Sequence, residues 1–239
     1  MKTLIAKGKT ASIYTDETYA YKVFDSTFPN AYIDHEKAIL NIVKNKTNLP
    51  VPRVYPSEEA RIKMDYVNGV SLGDRMRKEK YKFACEDLIE LQCEIHKHQG
   101  VLEAQAHEDF AKILRSSDLS ESLKQVGLNS LDKVPKGESL CHFDLHPLNI
   151  LFDGEDYHII DWMNAKNGHP ILDISRTYII LRRVAKRFSS KYLTLITKRL
   201  KIKKEEVYQA IPCMALLRLI VDHAEEDKSY LLGLVEEYQ

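Results

Sequence analysis

The sequence lacks any long apolar segment. Its longest apolar runs, such as Ala210–Leu217, fall far short of the roughly 18 residues that a membrane-spanning helix needs. The sequence also has no net charge, because 35 Lys and Arg residues balance 35 Asp and Glu residues. Bulk charge therefore gives no indication of nucleic acid or a membrane surface as a partner, and we expect neither.

Paired cysteines are missing as well. The sequence has four cysteines, Cys85, Cys93, Cys141 and Cys213. They form no CxxC pair and have no spacing typical of metal ligands. We expect buried, reduced thiols rather than disulfides or a zinc site, which fits a cytoplasmic protein. Three nearby histidines, His96, His98 and His107, also lack metal-like spacing, and we expect them on the surface or in support of other residues.

The first 67 residues have the pattern of a small β-sheet with one helix. Short runs rich in β-branched and aromatic residues alternate with turn-like residues, and one longer segment has the spacing of an amphipathic helix before two prolines. The predicted strands are Thr3–Lys7, Ala11–Thr15, Tyr19–Phe24, Arg53–Pro56 and Ala60–Val67, and the predicted helix is Ala31–Lys46.

After Gly69 the pattern is mostly helical to the end of the chain, except over residues 150–161. There, two short apolar runs flank Asp153-Gly154-Glu155-Asp156, which predicts a β-hairpin with Asp-Gly in its turn. We place a boundary near Tyr66–Gly69, between a strand-rich lobe (residues 1–67) and a larger helical lobe (residues 68–239).

The most informative segment runs from His142 to Asn149 and matches H-x-D-x-x-x-x-N, the spacing of the kinase catalytic loop. In that loop the Asp, here Asp144, orients the attacking hydroxyl, and the Asn holds magnesium. Asn149 and Asp161 lie at the open ends of the predicted hairpin, so their oxygens should converge and suit a hard cation. The alternative is that Asp144, His146 and Asn149 cap turns in a loop.

A lysine and an acid in the first lobe fit the same chemistry. Lys22 ends the segment Tyr19-Ala20-Tyr21-Lys22, which is laid out like the V-A-I-K strand of kinases. Glu36 lies within an apolar helical stripe, so a buried carboxylate there needs a cation, and Lys22 is the natural partner. The alternatives are a solvated lysine and a glutamate that reaches water from the edge of the stripe.

With these residues together, the chain resembles the aminoglycoside phosphotransferase and choline kinase group of small-molecule kinases. The resemblance implies an α+β, bilobal protein-kinase-like fold. In that fold a small antiparallel-sheet N-lobe, residues 1–67, binds the nucleotide. A mostly helical C-lobe, residues 68–239, carries catalysis and acceptor binding. His146 stands where protein kinases usually have Lys, and Asp173 follows Asp161 too closely for an activation loop.

The resemblance also implies roles for the catalytic segment. Asp144 is the catalytic base, and Asn149 and Asp161 are ligands of Mg²⁺. The residues that shape or brace the loop are His142, His146 and Asp173.

The nucleotide, ATP or GTP, is expected to meet the first lobe at three places. Lys22, held by Glu36, contacts the phosphates. In the turn that ends at Ser12, which has one glycine instead of three, the Ser12 hydroxyl replaces glycine contacts as in the resembling group, unless the segment is only a hairpin turn. The Asp65 carbonyl and the Val67 amide are expected to bind the adenine.

The charges of the late segments are segregated. Residues 182–204 contain ten Lys or Arg and no acid, whereas residues 222–239 contain six acids and one Lys. Both can be solvated helix faces. Alternatively, four acids lie near the acceptor site and attract a cationic molecule such as an aminoglycoside or a choline-like amine, and these are Asp222, Glu225, Glu226 and Asp227.

The sequence therefore predicts an ATP- or GTP-dependent phosphotransferase with Mg²⁺ as cofactor and a small-molecule hydroxyl group as acceptor. Two alternatives remain at this point. One is a minimal protein kinase without an activation loop, and the other is a nucleotide-binding module without catalysis.

Overall fold

The computed structural model describes residues 2–8, 10–57, 60–221 and 228–239. The chain divides into two compact units, which are treated separately below. The first contains Met1–Ala84 and Pro147–Ala165, and the second contains Cys85–His146 and Lys166–Gln239. This division differs from the predicted lobe boundary after residue 67. The assignment of nucleotide binding to residues 1–67 and of acceptor binding to residues 68–239 stays a prediction.

The first unit starts with an antiparallel sheet of five strands and one long helix. The elements are β1 (Thr3–Lys7), β2 (Ala11–Thr15), β3 (Tyr19–Phe24), α1 (Asn30–Lys46), β4 (Val54–Tyr55) and β5 (Arg61–Asp65). The strands lie in the order β1-β2-β3-β5-β4. The first three strands have the predicted bounds, and α1 begins one residue earlier than predicted.

Packing between α1 and this sheet follows from the apolar stripe of the helix. Ala11, Phe24, Ile33 and Ile62 form a buried cluster that joins β2, β3, α1 and β5. Since a helix repeats every 3.6 residues, the face that carries Ile33 also carries the other buried positions of α1, and Glu36 is one of them.

The predicted hairpin is present in the first unit and belongs to a second sheet. Three strands, β6 (Val70–Ser71), β8 (Ile150–Phe152) and β9 (Tyr157–Ile159), pair in this order, and α2 (Leu72–Lys78) follows β6 directly. At the turn, Asp153 Oδ1 accepts hydrogen bonds from the amides of Glu155 and Asp156, each at 2.9 Å. Gly154 has a φ of 113°, which explains why a glycine follows the aspartate.

The second unit is mostly helical, as predicted. Its helices are α3 (Ala84–His96, whose first residue belongs to the first unit), α4 (Ala106–Ser116), α5 (Glu121–Asp132), α6 (Pro170–Val184), α7 (Lys186–Leu200), α8 (Lys204–Val221) and α9 (Lys228–Tyr238). Two short strands, β7 (Ser139–Cys141) and β10 (Lys166–Gly168), form an antiparallel pair that was not predicted. Three residues are too few to show a period of two.

The antiparallel sheet and the helical second unit confirm the predicted α+β fold class. Among the helices of the described residues, none is long and apolar enough to cross a bilayer.

Two glycines allow a test of the close backbone approach between Gly69 and Phe152 of the second sheet. A Cβ atom at Gly69 would lie 2.6 Å from the carbonyl oxygen of Phe152, whereas one at Gly233, on the exposed side of α9, would meet nothing within 4 Å. We expect Gly69→Ala to lower the free energy of unfolding by about 1–3 kcal/mol, because the backbone must move. Gly233→Ala should raise it by up to about 1 kcal/mol, since alanine favours the helix. Urea unfolding measures both, and equal stability of the two variants would contradict this account.

Candidate functional site

One group of predicted residues meets at Lys22 on β3. Lys22 Nζ lies 2.7 Å from Glu36 Oε1 and 2.9 Å from Glu36 Oε2, so the predicted pairing between these two side chains is present. Glu36 is only 1% exposed. A carboxylate buried this deeply would be costly without a cation, and Lys22 supplies one.

Asp161 forms a second ion pair with the same lysine. Lys22 Nζ lies 3.2 Å from Asp161 Oδ1. Burial alone would lower the pKa of Lys22, but the carboxylates of Asp161 and Glu36 outweigh burial and raise it. The ammonium group therefore stays charged between two acids. Asp161 itself has a φ of 65°, a left-handed conformation that is uncommon for a residue other than glycine.

The open end of the hairpin brings the backbones of Asn149 and Ile160 together. The Ile160 amide donates to the Asn149 carbonyl over 3.0 Å, next to the paired residues Ile150 and Ile159. Asn149 and Asp161 thus flank the last paired positions of the two strands, as the sequence predicted. The side chains at these two positions are an amide and a carboxylate, both oxygen donors suited to a hard cation.

The other residues predicted to contact the nucleotide lie on β2, at the end of β5 and just after it. Ser12 is half-buried within β2, opposite Val23 of β3. The carboxylate of Asp65 accepts hydrogen bonds from the Arg53 amide at 2.9 Å and the Tyr55 hydroxyl at 2.8 Å. Val67 lies in the segment between β5 and β6, residues 66–69, which is called the linker below. Their contacts with a nucleotide stay predictions.

A cavity of about 480 Å³ lies beside this linker within the first unit. Its lining contains residues of the linker, of the segment after α1 and of the hairpin turn, but not Lys22, Glu36, Asn149 or Asp161. The cavity is therefore distinct from the lysine and carboxylate group described above.

Residues 142–146 of the segment predicted to be the catalytic loop belong to the second unit, whereas its last three residues belong to the first. Asp144 is half-buried, and its amide donates to Nδ1 of the fully buried His142 over 3.2 Å. His146 Nε2 lies 3.8 Å from Asp144 Oδ2, which is an ionic distance rather than a hydrogen bond. Phe143 has a φ of 59°, so the residue before Asp144 is held in the left-handed region.

Asp173, on α6, accepts hydrogen bonds from this loop and from α3. Its Oδ1 lies 2.6 Å from the Phe143 amide nitrogen, and its Oδ2 lies 2.7 Å from His96 Nε2 and 2.9 Å from Gln92 Nε2. Burial would raise the pKa of Asp173, but the hydrogen bonds and charge of His96 and the hydrogen bond from Gln92 lower it below its usual value. A fully buried carboxylate thus stays ionised next to the loop.

The sequence analysis did not identify Gln92 or the position of His96. Both lie on α3, where the fully buried Leu88 and Ile95 share one apolar face and Gln92 stands between them. A polar residue inside such a stripe was the signal that identified Glu36, and the same signal was available for Gln92. His96 is buried against Asp173, so of its two expected placements, at the surface or in support of another residue, the structure shows the second.

The four acids predicted to attract the acceptor, Asp222, Glu225, Glu226 and Asp227, lie outside the described residues. Their role stays a prediction.

Comparison with known proteins identifies the family. A sequence model described as "Phosphotransferase enzyme family" matches residues 10–199. The chain belongs to this family. This phosphotransferase is therefore an enzyme that moves a phosphate group from a nucleoside triphosphate to a small molecule, and the predicted family resemblance is confirmed. No curated protein matches it by sequence comparison.

Solved structures share the fold of this phosphotransferase at low sequence identity. A thermostable mutant of the aminoglycoside phosphotransferase APH(4)-Ia, in a ternary complex with AMP-PNP and hygromycin B, is similar with a TM-score of 0.71 and 14% identity, over 100% of this chain and 92% of that one. A choline/ethanolamine kinase family protein from Mesorhizobium loti has a TM-score of 0.63 and 15% identity, over 99% and 86%. ADP-bound APH(2'')-Ib has a TM-score of 0.62 and 14% identity, over 100% and 91%. The predicted kinase-like fold is confirmed.

The ion pairs at Lys22 predict a pH-dependent loss of stability in Lys22→Met. The substitution removes the ammonium group that neutralises the buried Glu36 carboxylate. Loss of this ion pair should lower the free energy of unfolding by about 3–5 kcal/mol at neutral pH. Burial already raises the pKa of Glu36 against the opposing effect of Lys22. The loss should therefore be small near the ordinary Glu pKa of about 4.3, where folding favours the protonated form, and grow as pH rises.

Urea unfolding between pH 4.5 and 8 measures this loss. The control is Lys22→Met/Glu36→Gln, in which no carboxylate remains at position 36, so the loss should vary less with pH. The same pH profile in both variants would contradict the proposed coupling.

Proposed function

We propose that this phosphotransferase moves the γ-phosphate of ATP or GTP to a hydroxyl group of a cationic small molecule, such as an aminoglycoside or a choline-like amine. The observation that carries the proposal is the contact of Lys22 with both Glu36 and Asp161. A strand lysine paired with a helix glutamate is the arrangement that kinases use to hold the nucleotide phosphates. Asp161, the second acid beside Lys22, lies at the end of the hairpin formed by β8 and β9.

The nucleotide is held by the first unit in this proposal. Lys22 contacts the phosphates, Glu36 orients it, and Ser12 adds a hydroxyl group from β2. The Asp65 carbonyl and the Val67 amide bind the adenine. The complexes of the structural neighbours with AMP-PNP and ADP support a nucleotide as co-substrate.

Asn149 and Asp161 are the proposed ligands of Mg²⁺. Their positions on either side of the last paired residues of β8 and β9, and their oxygen donors, fit this cation. Among the described residues there is no cluster of three or more His, Cys, Asp or Glu that suits a metal. Mg²⁺ usually takes one or two protein carboxylates and fills its other positions with water and phosphate oxygens. When bound, Mg²⁺ neutralises charge on the phosphates.

Asp144 is the proposed base. It accepts or orients the proton of the acceptor hydroxyl while His142, His146 and Asp173 support the loop. Asp144 is half-buried, and the hydrogen bonds of the Phe143 amide and the Leu145 carbonyl on either side of it support this role. Catalysis then consists mainly of positioning and charge stabilisation, as in other phosphoryl transfers.

The acceptor class is proposed from charge and from the neighbours. The acids Asp222, Glu225, Glu226 and Asp227 would attract a cation, and neighbours include an aminoglycoside phosphotransferase with hygromycin B and a choline/ethanolamine kinase family protein. These observations favour an amine-bearing alcohol over a neutral sugar.

The first test measures ATP and GTP consumption with Mg²⁺ across aminoglycosides, choline, ethanolamine, thiamine, sugars, homoserine and a panel of proteins. We expect one amine-bearing alcohol to stimulate turnover. Asp144→Asn should lower kcat at least about a hundredfold, because general-base catalysis is worth about that much. Nucleotide affinity, measured by calorimetry, should stay close to that of the parent.

Turnover retained by Asp144→Asn would remove Asp144 from the mechanism. Stimulation by proteins alone would favour a protein kinase, and absence of nucleotide binding would overturn the proposal.

The proposed magnesium site predicts that substitution of Asp161 changes the dependence of turnover on Mg²⁺ concentration. Asp161→Asn should raise the Mg²⁺ concentration for half-maximal turnover at least about tenfold, since loss of groups that merely orient metal ligands already costs about 10- to 100-fold. Asp153→Asn is the matched control, because Asp153 lies in the turn of the same hairpin and pairs with His158. Titration of turnover with Mg²⁺ measures the change, and equal shifts in both variants would argue against Asp161 as a ligand.

A further inference from the structure

Two backbone groups that flank Asp144 are held by side chains of one helix. The Phe143 amide donates to Asp173 over 2.6 Å, and the Thr177 hydroxyl donates to the Leu145 carbonyl over 3.0 Å. Asp173 and Thr177 are four residues apart on α6, so they lie on the same face, one turn from each other. The backbone before and after Asp144 is therefore fastened to a single rigid element.

Gln92, on α3, donates hydrogen bonds to both Asp173 and Thr177. Its Nε2 donates to Asp173 Oδ2 over 2.9 Å and to Thr177 Oγ1 over 3.2 Å. Its Oε1 accepts from the hydroxyl of Tyr192, on α7, over 2.5 Å. Both donors and the acceptor of the amide are thus used, in one orientation of the side chain.

The direction of the Thr177 hydrogen bond follows from this arrangement. Because Thr177 Oγ1 accepts from Gln92, its single proton is directed to the Leu145 carbonyl. A reversed Gln92 amide would turn Oε1 toward the carboxylate of Asp173. Gln92 and Thr177 are both fully buried, so solvent does not readily replace a lost hydrogen bond.

The backbone at this place also needs to be held. Phe143 has a φ of 59°, and a non-glycine residue in the left-handed region persists only where its surroundings enforce the conformation. The hydrogen bond from its amide to Asp173 is one such restraint, and Asp144 is the next residue in the chain. We call the hydrogen-bonded group of Gln92, Asp173 and Thr177 the clamp. Loss of its hydrogen bonds should change where the Asp144 carboxylate points.

We propose that Gln92 and Thr177 are positioning residues for phosphoryl transfer. Through Asp173 and Leu145 they hold the backbone on both sides of Asp144 and thereby aim its carboxylate at the acceptor hydroxyl. The proposal rests on the proposed role of Asp144 as base. Since neither residue touches the nucleotide in this scheme, their effect falls on kcat and not on nucleotide binding.

Thr177→Val tests the proposal, because it removes the hydroxyl and keeps the branched shape. The matched control is Thr197→Val, since the buried Thr197 hydroxyl donates to the Leu193 carbonyl within its own helix. Thr177→Ser keeps the hydroxyl and should restore function. We expect Thr177→Val to lower kcat about 10- to 100-fold, as small misplacements of catalytic groups do, with the KM for ATP within about twofold of the parent.

Amide hydrogen exchange provides a second readout that needs no acceptor. Exchange over residues 141–146, measured by mass spectrometry on the full chain, should become faster in Thr177→Val and in Gln92→Met. It should not change in Thr197→Val. This result would support the clamp even if Asp144→Asn kept its turnover, in which case the role of Asp144 as base would be wrong and not the clamp.

Two results would overturn the proposal. One is unchanged kcat in Thr177→Val together with unchanged exchange over residues 141–146. The other is an equal loss of kcat in Thr177→Val and Thr197→Val, which would indicate a general effect of losing a buried hydroxyl.

Discussion

A carboxylate can be buried only where cations or hydrogen-bond donors surround it, and each compact unit of this phosphotransferase is organised around one such group. In the first unit, Glu36 is neutralised by Lys22, which fixes α1 against β3 and sets the lysine beside Asp161. In the second, Asp173 collects donors from the Phe143 amide, Gln92 and His96. Lys22 and the residue before Asp144 are thus each held by one of these buried acids.

Each of these acids is linked to a residue in an uncommon backbone conformation, Asp173 directly to Phe143 and Glu36 through Lys22 to Asp161. Phe143 precedes the proposed base, and Asp161 is a proposed metal ligand, and both have φ near 60°. Such conformations cost energy and persist where hydrogen bonds and ion pairs enforce them. Here the enforcing contacts are the bond from the Phe143 amide to Asp173 and the ion pair between Asp161 and Lys22. Stability and site geometry therefore depend on the same contacts.

Much of the first unit could be predicted because its signals are local. The hairpin that brings Asn149 toward Asp161 is specified by Asp153-Gly154 between two short strands. The pairing of Lys22 with Glu36 could be inferred since a glutamate in an apolar stripe requires a cation. By contrast, the pairing of β7 with β10 involves three residues on each strand, too few to leave a pattern.

The sequence by itself determined the spacing of His142, Asp144, Asn149 and Asp161 along the chain, and with it the family and the type of reaction. Only the tertiary structure decided that Gln92 meets Asp173, 81 residues away, and that Tyr192 meets Gln92, 100 residues away. The physical reason is that hairpins and helical stripes arise from neighbours in sequence, whose spacing can be counted. The contacts among α3, α6 and α7 depend on how buried helices pack, and that packing has no fixed spacing in the sequence.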